Sequence, residues 1–220
     1  MNNLTVTFGI LTHNEPQIFD LLDLLLKHKD KEDKIIVVDD NSDASVIKRL
    51  KQYPIRVIQH SLNQDYSAQR NIIVEAAKTD YLFMIDADEM PTIKLLKELK
   101  TIITKTHSDA IWCPRVNIFK GVKPIHALMY GWSLQGEICN YPDMQCRIIK
   151  LRQGIKWVGR LHERPKLEKQ HQVIQLPVNT ELELIHIKDI ETQLKQNEMY
   201  NQKFSQEENR GTDTIKLLQS

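Results

Sequence analysis

Disulfide-stapled folds and zinc sites are poorly supported, because the chain has only three cysteines, Cys113, Cys139 and Cys146, odd in number and without a CxxC pair. The spacing suits buried, reduced thiols. Glycine is also scarce, at seven residues, and none falls in a GxGxxG or GxxxxGK[ST] pattern. Neither a dinucleotide fold of the usual type nor a P-loop ATPase is therefore supported, and any phosphate must be held by metal and basic side chains. An excess of charge of one sign is missing as well: 30 Lys and Arg face 29 Asp and Glu, for a formal net charge of +1. Bulk charge thus advertises no polyanionic partner. No apolar run is long enough to span a bilayer, and MNNLTVTFGI lacks the basic region and small-residue cleavage site of a signal peptide. The expected location is the cytoplasm, extending to the inner face of the membrane for a lipid-borne substrate.

What is present is an alternation of short apolar runs and helical periodicities. Leu4 to Leu11 reads as a first strand, and Asn14, Glu15 and Pro16 supply cap and first-turn signals for a helix carrying Ile18, Leu21, Leu22 and Leu25. Ile35 to Val38 is an unbroken β-branched strand, followed by a helix around Ala44 to Gln52, a strand IRVIQH, a helix over Ser67 to Lys78 and the strand YLFMI. An amphipathic helix over Thr92 to Thr104 continues the pattern. The order predicts a parallel, doubly wound α/β sheet. After Asp109 strands separated by an irregular loop around Gly121 to Pro142 are expected, then a helix within 189–209, with Gly211 to Ser220 fraying. The expected organisation is one domain over 1–188, with halves 1–108 and 109–188, and a helical extension over 189–220.

Two strands run directly into acids: IIVV into Asp39 and Asp40, and YLFMI into Asp86, Asp88 and Glu89. Acids at the C-terminal ends of parallel strands lie where open α/β sheets bind ligands. If the second strand extends through them, Asp86 and Asp88 point the same way and can share a hard divalent cation, Mn2+ or Mg2+. The competing readings are that Asp88 and Glu89 cap the next helix, that NSD is a plain turn with a capping Asp43, and that Arg70 lies on a solvated helix face.

The combination GILTHNE, IIVVDDNSD, SAQRN and YLFMIDADE, over roughly residues 4–100, resembles the inverting GT-A glycosyltransferases of family 2, with Asp86-Ala87-Asp88 as the aspartate-any-aspartate motif. The resemblance implies a GT-A type sheet, mainly parallel but mixed, with helices on both faces. It implies a nucleotide-sugar donor, with Thr12, Glu15 and Asp40 cradling base and ribose, Arg70 contacting the nucleotide, Asp86 facing ribose or metal, and Asp88 on the metal. His186 matches the late histidine that many such enzymes use as another metal ligand. Asn63-Gln64-Asp65 departs from the pattern, which commonly has glycine after the asparagine. The segment CRIIKLRQGIKWVGRLHERP resembles a narrower branch, the bacterial glucosyltransferases of lipopolysaccharide cores. There the glutamate of a W-x-G-x-x-H-E pattern, here Trp157, Gly159, His162 and Glu163, is the catalytic base.

Inverting transfer needs such a carboxylate to take the proton of the attacking hydroxyl. Glu163 is the expected base, with Asp143 as its replacement if Glu163 only pairs with Arg160 or Arg164. The expected reaction is metal-dependent transfer of a hexose from a UDP-sugar to a glycan or glycolipid. A modified base in DNA is the alternative acceptor. A sugar nucleotidyltransferase, which wants a glycine-rich loop that TFGILTHNE lacks, and a non-catalytic nucleotide-sugar-binding module are the competing classes.

Overall fold

The computed structural model describes residues 4–205. In chain order the elements are β1 (Val6–Thr12), α1 (Ile18–His28), β2 (Lys34–Asp39), α2 (Ala44–Leu50), β3 (Arg56–Gln59), α3 (Tyr66–Ala76), β4 (Tyr81–Asp86), β5 (Glu89–Pro91), α4 (Ile93–Thr106), β6 (Ala110–Lys120), α5 (Pro124–Tyr130), β7 (Leu134–Gln135), β8 (Ile138–Lys150), β9 (Trp157–Val158), β10 (Arg164–Pro165), β11 (Val173–Gln175), β12 (Leu184–Asp189) and α6 (Ile190–Lys203). The main sheet runs β3-β2-β1-β4-β8-β6-β12-β5, with β11 beside β6 and β7 beside β8. β3, β2, β1 and β4 are parallel, β8 is antiparallel to both β4 and β6, and β12 is parallel to β6. The α/β class and the mixed, mainly parallel sheet expected from the sequence are both observed.

Strands β1, β2 and β4 are largely apolar because both of their faces are covered. Along β4, Tyr81, Phe83 and Ile85 enter the layer packed by α1, α2 and α4, while Leu82 and Met84 enter the layer packed by Ile73 of α3 and by Trp157. Each fully buried side chain of this size contributes roughly 1.5–3 kcal/mol. Gly9 sets the approach of α3 to the sheet: a Cβ there would lie 2.5 Å from Ile73 Cγ2 and 2.9 Å from Leu82 Cδ1.

The chain winds from β1 out through β2 to β3, then returns across β1 to β4. The reversal places a crevice at the C-terminal ends of β1 and β4, the usual ligand position of such sheets. Among the described residues no helix is long and apolar enough to cross a membrane.

Three local expectations are corrected. Gly121 to Pro142 is not an irregular loop, since it contains α5, β7 and the first part of β8. The signals at Asn14, Glu15 and Pro16 do not cap α1, which starts at Ile18 without a side-chain cap. Strand β4 stops at Asp86, so Ala87 and Asp88 form a turn and the two aspartates do not share one extended face. The expected helix at the end is α6, and Gly211 to Ser220 lies outside the described residues.

Candidate active site

The loops after β1 and β2 lock together. The Asp40 amide donates to the Thr12 carbonyl at 2.9 Å, Asp43 N–H donates to Asn14 Oδ1 at 2.7 Å, and Asn14 N–H donates to Ser42 Oγ at 2.8 Å. Asn14 and Asn41 adopt positive φ, which asparagine tolerates better than most residues. Glu15 Oε2 accepts from Thr12 Oγ1 at 2.8 Å and from the His13 amide at 2.5 Å, so this carboxylate shapes the loop rather than the helix. Asp40 Oδ1 accepts the Leu62 amide at 2.9 Å. Asp39 is fully buried, with Oδ2 on the Ser42 amide at 3.2 Å and Oδ1 without a protein partner. The two strand ends thus converge on one edge, and Asp43 makes no side-chain cap on α2.

The departure at Asn63-Gln64 has a backbone signature: both residues are left-handed, at φ 48° and 59°, where glycine would be unstrained. Arg160 Nε donates to the Gln64 carbonyl at 3.3 Å, joining this loop to the Glu163 segment.

A chain of ion pairs crosses the crevice. Glu163 Oε1 accepts from Arg70 Nε at 2.5 Å, and Arg70 Nη2 reaches Asp86 Oδ1 at 2.9 Å. Asp86 Oδ2 lies 2.7 Å from Arg147 Nη2, which also donates to Glu89. Glu89 Oε1 is 2.8 Å from Arg115 Nη1, and Arg115 Nη2 is 2.6 Å from Asp143 Oδ2. Arg70 and Arg147 are almost fully buried, as is Glu89. The solvated-face reading of Arg70 is thereby overturned. Burial disfavours charge on Asp86, yet Arg147 and Arg70 outweigh it and lower its pKa to about 2. Burial likewise opposes ionisation of Asp143, but Arg115 and Asn117 prevail and hold it below the ordinary carboxylate range.

The Glu163 segment is clamped by α3. Asn71 Oδ1 accepts the Trp157 amide and Asn71 Nδ2 donates to the Trp157 carbonyl, each at 2.9 Å, while the Tyr66 amide donates to the Arg160 carbonyl at 3.0 Å. Gly159, at φ 100°, makes the turn that returns the chain toward Glu163. SAQRN therefore has a physical role: Arg70 binds Glu163, 93 positions away, and Asn71 fixes the segment that carries it.

Asp88 belongs to a second cluster. Its Oδ2 lies 3.2 Å from both His186 Nε2 and Lys188 Nζ. Although burial works against the charge on Asp88, His186 and Lys188 depress its pKa well below the ordinary range. Thr92, not Asp88 or Glu89, caps α4, accepting the Leu95 amide at 3.2 Å. His186 Nδ1 faces Asn117 Oδ1 at 2.8 Å, and Asn117 Nδ2 donates to Asp143 Oδ2 at 2.9 Å. The amide's nitrogen is thus committed to Asp143, so Nδ1–H donates to the Asn117 oxygen, which orients the ring with Nε2 toward Asp88 Oδ2. Asp88 Oδ2 and His186 Nε2, 3.2 Å apart, are the pair that a divalent ion could share. Among the described residues no group of three or more His, Cys, Asp or Glu could hold a metal. Asp88 and His186 would therefore be completed by phosphate oxygens and water.

The sequence reading missed Arg115, Asn117, Arg147 and Lys188, and assigned no charge partner to Glu89. Strand alternation around Arg115 and Asn117 was the available signal. Asp143 lies on β8 rather than in a loop and is held by Arg115, Asn117 and Gln145, the last at 2.7 Å. The three cysteines are free and buried, and burial raises the Cys146 pKa to about 12.

Residues 7–153 match the family model described as Glycosyl transferase family 2. Two curated relatives, the SPbeta prophage-derived glycosyltransferase SunS of Bacillus subtilis (strain 168) and the glycosyltransferase SunS of Bacillus phage SPbeta, are each 28% identical over 163 residues, 73% of this chain and 35% of theirs. The chain thus spans about a third of the length of these relatives. Among solved structures, S. aureus TarS 1–349 in complex with UDP-GlcNAc is similar with a TM-score of 0.58 at 16% identity, covering 84% of this chain and 59% of that one, a likeness of fold. With the model covering well over half of its 220 residues, the chain belongs to glycosyl transferase family 2.

Proposed function

We propose that the protein transfers a hexose from a UDP-sugar, with inversion, to a hydroxyl of a glycan or glycolipid. The observation that carries this reading is the bridge Glu163–Arg70–Asp86, which ties the candidate base to the donor edge of the sheet across 2.5 and 2.9 Å contacts. Thr12, Glu15 and Asp40 line the β1 and β2 ends, where the base and ribose would sit, and Asp86 would face the ribose. Arg70 would act mainly through Asp86 and Glu163. Asp88 and His186 would hold Mn2+ or Mg2+, which when bound stabilises charge on the departing diphosphate as a Lewis acid. Glu163 would accept the proton of the attacking hydroxyl as the bond to the anomeric carbon forms.

The acceptor reading draws on the likeness to lipopolysaccharide core glucosyltransferases and on α5, which exposes Ile125, Leu128 and Met129, an apolar surface suited to a lipid-bearing acceptor. The UDP-GlcNAc complex of a fold neighbour supports the donor class. We also favour one transferase domain over 1–188, with α6 as an appended helix joined to it by the Tyr66–Tyr200 contact at 3.4 Å.

The testing experiment is a screen of nucleotide-sugar hydrolysis with Mn2+, in the wild type and in Asp88→Ala. One donor should be hydrolysed by the wild type, and the variant should lose nearly all of that activity. Unchanged Mn2+-dependent hydrolysis by Asp88→Ala would remove Asp88 from the metal.

A further inference from the structure

The ammonium of Lys188 occupies the same carboxylate oxygen that the proposed metal site needs. Lys188 and His186 are two apart on β12, so both project from one face toward Asp88, and both approach Oδ2 at 3.2 Å. The pair is largely shielded, with side-chain exposures of 15% for Lys188 and 21% for Asp88, so water screens it poorly. A divalent ion bonded to that oxygen would lie against the ammonium, and two cations cannot share the position without one moving. Lys188 has a second anchor, Gln196 Oε1 on α6 at 3.0 Å, and a flexible four-carbon stem.

We propose that Lys188 is an exchangeable counter-ion: it neutralises Asp88 while the donor site is empty, and on donor binding it yields the carboxylate to the divalent ion and turns to the diphosphate. The inference rests on the metal reading above and adds a role for a residue that the motif does not contain. In the empty site Lys188 supplies the positive charge that Asp88 requires. In the loaded site the same charge faces the diphosphate, which has no glycine-rich loop to hold it.

The two halves of the exchange predict effects of opposite sign. Lys188→Met should bind Mn2+ about tenfold more tightly than the wild type without nucleotide, because its competitor is gone, as read from the free Mn2+ electron paramagnetic resonance signal. The same variant should bind UDP about tenfold more weakly at saturating Mn2+, by calorimetry, and Lys188→Arg should restore UDP binding. A merely structural lysine would weaken both or neither. Wild-type Mn2+ binding that Lys188→Met leaves unchanged or weakens overturns the exchange alone. Tighter Mn2+ binding without loss of UDP affinity overturns the diphosphate role, and a wild type that binds no Mn2+ even with UDP overturns the metal reading together with the exchange. Asp88 keeps His186 in Lys188→Met, and Lys188→Gln, which keeps a polar end beside Gln196, repeats the test should the Met form fold poorly.

Discussion

Arg147 is the keystone of the buried ion network, and Arg147→Met asks what the network costs to break. Its side chain is 4% exposed, and its guanidinium serves Asp86 at 2.7 Å and the fully buried Glu89 at once. Removing one partner of a buried pair costs about 3–5 kcal/mol, because a charge is left without compensation. Here each acid keeps another arginine, Arg70 for Asp86 and Arg115 for Glu89, so the lower end, about 3 kcal/mol, is expected. For a domain of this size that lowers Tm by roughly 6–12 °C. The sign with pH follows from Asp86, whose pKa of about 2 depends on Arg147. Without Arg147 the folded protein binds a proton at Asp86 more readily, so the loss relative to wild type is full at pH 7.5 and shrinks only as pH falls through the ordinary carboxylate range toward about 2, reading smaller at about pH 3. Urea unfolding of both proteins at the two pH values measures this. A loss under about 1 kcal/mol, or a loss identical at both pH values, would refute the reasoning.

Gly9→Ala should destabilise by about 1–3 kcal/mol in urea unfolding, since the added methyl lands 2.5 Å from Ile73 Cγ2; a loss near zero would mean that α3 is less closely seated. Asp40→Ala should raise the donor KM with little change in kcat, because the proposed contact to the base would be made equally in ground and transition states; steady-state kinetics showing an effect on kcat alone would contradict the assignment.

Most of the half containing β1 to α4 was legible because β1, β2 and β4 are buried on both faces and read as apolar runs, and because its helices show periodicity; the three-residue β5, with Glu89 at its start, has no such run and was not read. Beyond Asp109 the signal fails for physical reasons. β8 contains Asn140, Tyr141 and Pro142, residues that normally mark a loop, yet it pairs with β4 and β6 across the middle of the sheet. α5 buries none of its residues, so its apolar side chains follow no core. In the site, the acids at strand ends were legible as residues bound to an edge. Their partners were not: Arg147 meets Glu89 across 58 positions and Arg70 meets Glu163 across 93, distances at which only the folded topology brings charges together. The same applies to Asp88, whose turn separates it from Asp86 and hands it to His186 and Lys188.

Glu163 as the catalytic base is the centre of the account, and Glu163→Gln tests it most directly. The amide oxygen can still accept from Arg70, so the loop and the donor edge should hold, but it cannot take a proton. Measured on one preparation with the donor found by the hydrolysis screen, UDP affinity should stay within a few-fold of wild type while turnover falls by about 10² to 10⁴. Turnover within a few-fold of wild type, with only Tm reduced, would show that Glu163 is a structural partner of Arg70 and would contradict the account.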